Sequence, residues 1–237
     1  MGRELLSLED PLTYLPRKPV QEFAKRRVIY SPEQPSSSLY VVILGRVKVT
    51  TTADDGVETI GRIVSSEGLF GESALVGNSA RSESAVAIDN VSVMSWTRFE
   101  IEQQIEREPH LGIALSQHLV RQCMELQERI ESMAVYKTPE RVMLSLIQLA
   151  ATLGTAMPDG ATHVGSLTHH TIADYVGTSR EIVTFQMNRL RRLGLLRYSR
   201  KGIDVYSEAI QDMLRGQGIN TSRVNGGAAQ RAGGVLG

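Results

Sequence analysis

The chain has 237 residues, enough for two modest domains that each bury a core. Its 26 basic and 26 acidic side chains cancel, yet residues 1–137 carry net −4 and residues 138–237 net +4. Cys123 is the only cysteine, which excludes an intramolecular disulfide, a cysteine-rich zinc site and a four-thiolate iron–sulfur cluster.

The amino terminus lacks a basic segment followed by an apolar core, and the longest apolar run, residues 39–44, is too short to cross a bilayer. A cytoplasmic protein with no membrane partner is expected. Residues 26–96 read as short β-rich runs, RRVIY, LYVVILGRVKVTTT, VETIGRIV and AVAIDNVSVMSW, separated by Pro, Gly, Asp and Ser. They describe an antiparallel barrel or roll, with Asp54-Asp55-Gly56 as a hairpin turn because glycine supplies the positive φ that a short connection demands. After Thr97 the pattern becomes helical. Leu119, Cys123, Leu126, Ile130 and Met133 then recur at spacings of four and three, a heptad seam that predicts an intermolecular coiled coil and hence a homodimer. The alternative is an amphipathic helix packed on its own domain. Cys123 reads as a small packing residue of the seam.

Thr138-Pro139 marks a restart, with Thr138 as N-cap, Pro139 at the first helical position and a hinge between domains. A helix over 139–153 follows, then a loop with Pro158 and Gly160, and a strand over 162–167. Residues 167–193 spell two short helices joined by a tight turn. Ile172, Ala173 and Val176 share one face of the first, while Val183, Met187, Leu190 and Leu193 recur at helical spacing on the second. Gly177 allows the turn, Ser179 caps the second helix and Gly194 ends it. Arg180 falls on the first turn, where a positive charge opposes the helix dipole, so a phosphate or guanine edge explains it better than helix stability does. Residues 195–198 and 203–206 flank Arg200-Lys201-Gly202 as a small hairpin, a wing. Arg189, Arg191, Arg192, Arg197, Arg200 and Lys201 fall within a stretch holding no acid, a local field that attracts phosphate; a solvated helix face is the plainer reading. The Gly- and Ala-rich tail is expected to be disordered.

A β-rich amino-terminal domain, a long dimer helix and a winged helix-turn-helix in this order resemble the cyclic-AMP receptor protein and fumarate–nitrate regulator (CRP/FNR) family of bacterial transcription factors. Three segments carry the likeness over roughly residues 15–210: LYVVILGRVKV, FGESALVGNSARS and GTSREIV. The resemblance implies an α+β chain: an effector β-roll like a cyclic-nucleotide-binding domain (1–109), a dimerisation helix and hinge (110–137), a DNA-binding winged helix (138–213) and a tail (214–237). It implies double-stranded DNA, a second copy of the chain and RNA polymerase as partners, and no enzymatic activity. No GxSxG elbow, Walker loop or acid–base cluster stands against that last point.

Effector residues follow from the same likeness. Gly71-Glu72 opens a short helix and Arg81-Ser82 holds a cyclic phosphate; Gly71 permits close backbone approach, amides near Ser73 and Ala74 face the anion, and Glu72 accepts from a ribose hydroxyl. An ordinary surface ion pair between Glu72 and Arg81 is the alternative. Cyclic-AMP receptors place Thr-Ser on the dimer helix to read adenine, and this chain has Leu126-Gln127 there. Glu83, next to Arg81-Ser82, adds a carboxylate that opposes anion binding. The effector is thus a cyclic nucleotide, cAMP or another, or absent altogether; a ligand-independent regulator and a nucleotide-binding subunit that docks another protein stay open. Residues 1–109 hold neither Cys nor His, against a haem sensor, and the five histidines offer no i, i+4 pair for a metal. On DNA, the likeness assigns Arg180 to guanine O6 and N7 and Glu181 to a cytosine amino group. Thr168, His170 and Ser179 are placed to reach phosphates, with capping and turn stabilisation as their plainer role. Phe185 stands where family members carry a second arginine, so the expected site is TGTGA and its inverted repeat with the second guanine preference relaxed.

Overall fold

A computed structural model describes residues 8–54, 56–77, 81–199, 202–219 and 221. The chain forms two compact units, one combining Met1–Thr50 with Ile63–Ile130 and one combining Thr51–Arg62 with Glu131–Gly237.

The strands that precede the helices are β1 (Gln21–Phe23), β2 (Val28–Tyr30), β3 (Ser38–Leu44), β4 (Val47–Thr52), β5 (Glu58–Val64), β6 (Leu69–Phe70), β7 (Ser84–Ala87) and β8 (Val91–Thr97), of which the end of β4 and most of β5 fall in the Thr51–Arg62 segment. They form two four-stranded sheets, β1-β8-β3-β6 and β2-β7-β4-β5, and every pairing recorded in them is antiparallel. Strand alternation explains the two cores. Val42, Val93 and Phe70 face Ile29, Tyr30, Val47, Val49 and Ala85 of the other sheet. Leu39, Val41 and Trp96 point the opposite way, onto Ile101 of α1 (Arg98–Arg107) and Leu111 and Leu115 of α2 (His110–Val135). Thr97 starts α1 with a capping box: its hydroxyl accepts from the Glu100 amide, and the Glu100 carboxylate accepts from the Thr97 amide at 2.9 Å. At the β4–β5 turn Gly56 takes φ 83°, as the hairpin reading requires; Asp55 lies outside the described residues.

The second unit contains α3 (Thr138–Leu153), β9 (Thr155–Ala156), β10 (Thr162–His163), α4 (His169–Val176), α5 (Arg180–Arg192), β11 (Leu196–Ser199), β12 (Gly202–Val205) and α6 (Ser207–Gly216). Its sheet runs β11-β12-β10-β9, and α3 packs on α4, α5 and α6 around Leu146, Ile172, Met187, Leu190, Ile210 and Leu214.

Four local expectations change. The N-cap of α3 is Lys137, not Thr138, because Glu140 three residues on accepts from the Lys137 amide at 2.8 Å. The strand over 162–167 shrinks to the two residues of β10, since Gly165 at φ 76° turns the chain away. Leu193 is the exposed C-cap of α5 rather than a fourth core residue, and Leu196 fills the core in its place. The tail begins later than residue 214, because the last turn of α6 buries Leu214 completely; residues 222–237 lie outside the described residues.

Candidate nucleic-acid interface and effector pocket

Local chemistry fixes the helix-turn-helix. The Thr168 hydroxyl caps α4 by accepting from the Thr171 amide at 3.0 Å, and the Ser179 hydroxyl caps α5 by accepting from the Ile182 amide at 3.4 Å. Between them Gly177 adopts φ 72°, ψ 52°, a left-handed C-cap that glycine reaches without a Cβ clash. Sequence reasoning missed the residue that locks this turn. Arg141 of α3 donates from Nη2 to the carbonyls of Val176 (3.1 Å) and Gly177 (2.9 Å), placing a cation on the open carbonyl end of α4. Its chain position predicts only an exposed helix charge. Replacing Arg141 with Met keeps the stem and removes the fork; a urea melt of the full chain is expected to show a loss of about 1.5–3 kcal/mol.

Helix α5 has two distinct faces. Val183, Gln186, Met187 and Leu190 are buried, whereas Arg180, Glu181, Phe185, Arg189 and Arg192 are exposed. The Glu181 carboxyl is held below the usual range by its own amide first and by the Ser179 hydroxyl second, so it is turned onto the helix end. His170 is exposed on α4, 3.3 Å from Asp174 one turn on. Among the predicted cations, Arg197 is already engaged, 2.7 Å from Asp159 and 3.4 Å from Asp204, and the Arg191 guanidinium lies 5.3 Å from the Tyr198 ring centre. Wing strands β11 and β12 pair as read from sequence, with Leu196 opposite Val205; Arg200 and Lys201 lie outside the described residues.

His169, which sequence reasoning passed over, joins the two helices. Its Nδ1 lies 2.9 Å from the Thr184 hydroxyl of α5 and its ring meets Tyr198 edge-on at 5.6 Å. Burial lowers its pKa, and the nearby Arg180 charge lowers it further. Because the folded form binds the proton less readily than the unfolded chain, the associated stability is complete above the ordinary imidazole value of about 6.5 and is lost as pH falls below it. Thermal melts are expected to drop between about pH 7 and pH 5.5 in the wild type and to flatten in His169→Gln.

The loop at Gly71 is equally specific. Gly71 sits at φ 83°, and a Cβ there would lie 2.9 Å from the Ser38 carbonyl oxygen and 3.1 Å from Arg81 Nη1, so only glycine fits. A 3-10 helix, Glu72–Val76, follows; its Ala74 amide donates back to the Gly71 carbonyl and does not face outward as the sequence reading supposed. Arg81 is only 3% exposed, which rules out a surface ion pair. It donates from Nη2 to the Ser38 carbonyl (2.9 Å) and from Nη1 to Ser73 Oγ (3.3 Å), with its guanidinium 3.8 Å over the Tyr30 ring. Its Nε has no hydrogen-bond partner among the described residues. Ser82 beside it is exposed, and the Glu83 carboxylate, expected to oppose an anion, accepts from the Tyr30 hydroxyl at 2.7 Å. Glu72 is tied to the long helix: its Oε1 accepts from Gln122 Nε2 at 2.5 Å and lies 3.2 Å from His118 Nε2. No spacing rule links residues 46 and 50 positions apart, and neither partner was read from sequence.

On α2, the predicted seam residues Leu119, Cys123, Leu126, Ile130 and Met133 are all exposed, Leu126 at 53% and Ile130 at 67%. Buried side chains on this helix stop at Leu115, and none from residue 116 to 135 is buried. None of the helices among the described residues is long and apolar enough to cross a membrane, and no group of three or more potential metal ligands is found among them.

Comparison with known proteins agrees with this architecture. Residues 20–108 match the cyclic nucleotide-binding domain and residues 140–209 the Crp-like helix-turn-helix domain. The chain is 28% identical to the CRP-like cAMP-activated global transcriptional regulator of Mycobacterium tuberculosis, over 77% of this chain and 81% of the relative. It is 30% identical to the transcriptional regulator SdrP of Thermus thermophilus, over 69% of this chain and 76% of the relative. A solved CRP/FNR-family regulator, also from Thermus thermophilus, superposes with a TM-score of 0.65 at 26% identity, covering 83% of this chain and 98% of that one. The chain belongs to the CRP/FNR family of transcription regulators. It is a regulator with a helix-turn-helix DNA-binding domain, in a family of transcription factors rather than enzymes.

Proposed function

We propose that the protein is a homodimer that sets one α5 into each of two successive major grooves of a palindromic operator, under the control of a cyclic nucleotide held at Gly71, Glu72, Ser73, Arg81 and Ser82. The observation that carries the dimer is the helix α2, which over more than five turns buries none of its side chains. Helices of globular proteins draw most of their stability from packing an apolar face, and the seam from Leu119 to Met133 presents one. A second copy, related by a twofold axis, supplies the missing surface. In each half, Arg180 pairs with guanine O6 and N7, Glu181 accepts from a cytosine amino group, and Thr168, His170 and Ser179 fix register on phosphates. Such a factor acts in the cytoplasm, with RNA polymerase as its further partner.

An anion at this end of the site is favoured by Arg81, a guanidinium whose buried Nε has no hydrogen-bond partner among the described residues, with the exposed Ser82 next to it in sequence. A ribose hydroxyl at Glu72 replaces the Gln122 amide there, so occupancy acts on a bond that already joins the pocket to α2. Ligand then distinguishes two states of the dimer helix, as control requires. A ligand-independent regulator is the second reading. It is favoured by the partners Glu72 and Arg81 already have and by Leu126-Gln127 in the adenine-reading place.

Titrating a labelled TGTGA inverted repeat with the full chain, with and without a panel of cyclic mono- and dinucleotides, separates the readings. The first expects one nucleotide to raise DNA affinity, with the gain lost in Arg81→Gln. Tight binding that no nucleotide alters supports the second reading. Failure to prefer the repeat over random duplex at moderate salt overturns both.

A further inference from the structure

The exposed surface of α5 is chemically divided. Thr184 and Asn188 would be its natural hydrogen-bonding readers in the second and third turns, but both are engaged inside the domain. The Thr184 hydroxyl lies 2.9 Å from His169 Nδ1, and Asn188 Oδ1 accepts from the Tyr198 hydroxyl at 2.7 Å. What α5 offers in its first two turns is therefore Arg180, and Glu181 with its carboxyl turned onto the helix end, together with two apolar side chains, Ile182 at 39% exposure and Phe185 at 61%. Single exposed apolar residues are ordinary, whereas two neighbours at i and i+3 form a continuous surface.

We infer that Ile182 and Phe185 form an apolar reader of C5-methyl groups in the major groove, on thymine or 5-methylcytosine. The inference rests on the reading of α5 as the recognition helix. Major-groove edges of unmodified DNA carry one apolar group, the thymine methyl; every other distinguishing feature is a donor or an acceptor. Ile182 and Phe185 can supply neither, so hydrogen-bond readout is closed to them. Their spacing suits methyl contact, because residues three apart on a helix rise about 4.5 Å along its axis, close to the roughly 3.4 Å step between bases on one strand. The two side chains can meet methyls on neighbouring base pairs while Arg180 holds a guanine beside them. Specificity then divides between a charged reader that selects guanine and an apolar pair that selects methylated pyrimidines. This goes further than the loss of an arginine at position 185, which alone predicts only a relaxed guanine preference.

Deoxyuridine tests this directly, because it keeps every hydrogen-bonding group of thymine and lacks only the methyl. The full chain is titrated against its TGTGA-type duplex and against copies in which each thymine in turn is replaced by deoxyuridine. Loss of a contacted methyl is expected to weaken binding roughly three- to fivefold at one or two adjacent positions. At those positions 5-methylcytosine paired with guanine is expected to bind more tightly than cytosine. Ile182→Ala and Phe185→Ala, with folding checked by circular dichroism, are expected to abolish the thymine–uracil difference while leaving guanine discrimination intact. Equal affinity for thymine and deoxyuridine duplexes at every position, with guanine discrimination preserved, overturns the inference and leaves the DNA-binding reading standing. If the parent duplex itself is not preferred over random DNA, that reading fails and the inference falls with it.

Discussion

Arg180→Ala is expected to remove most operator discrimination while leaving the fold intact. A bidentate arginine–guanine pair contributes about 1–3 kcal/mol of preference for the correct base. A twofold dimer makes the contact twice, so the full operator loses about 2–6 kcal/mol, roughly 30-fold to beyond 10⁴-fold. Binding to random duplex rests on phosphate neutralisation by many cations and should fall much less. Stability gives an internal control. Arg180 is exposed on the first turn of α5, against the helix dipole, and its charge lowers the His169 pKa. Removing that charge should leave the melting temperature unchanged or slightly raised. Anisotropy titrations on operator and scrambled duplex, with a thermal melt beside them, check all three quantities.

Ile130→Glu is expected to produce a folded monomer that no longer binds its operator tightly. Ile130 is two-thirds exposed, so the substitution removes no core contact and costs the single chain little. In the dimer it sets a carboxylate on the apolar seam opposite its own symmetry copy, where two charges would be buried together. Splitting the dimer also splits the binding event. Two linked half-site contacts gain about 10²–10⁴ in affinity over one, and that factor should vanish. Sedimentation velocity reads the first effect and operator titration the second. A conservative Ile130→Leu is expected to change neither.

The helix-turn-helix was legible because its determinants are local. Caps at Thr168 and Ser179, the positive φ of Gly177 and the apolar spacing of Val183, Met187 and Leu190 act over a few residues, so they can be read in a short window. The larger strands were legible for the same reason. Less legible were β1 and β6, of three and two residues, whose existence depends on pairing with β8 and β3 far along the chain. The same physics hid the side chains that hold the sites together. Arg141 reaches carbonyls 35 and 36 residues away, and Glu83 finds Tyr30 across 53. At the effector loop the residue types were readable but their directions were not. Arg81 faces inward over Tyr30, and Glu72 points to His118 and Gln122, because aromatic rings and amides from other elements meet them there. A sequence motif names the groups available at a site, and only the packing around them decides which are already taken.

Selection of the 237-residue chain against a random duplex library reads both the bases it prefers and the number of copies that bind. A symmetric dimer enriches an inverted repeat whose half-sites each contain a guanine and lie about 10–10.5 base pairs apart, centre to centre, matching two recognition helices on one face of the duplex. Recovery of a single asymmetric site bound by one chain, or of no motif at all, would contradict the proposed function.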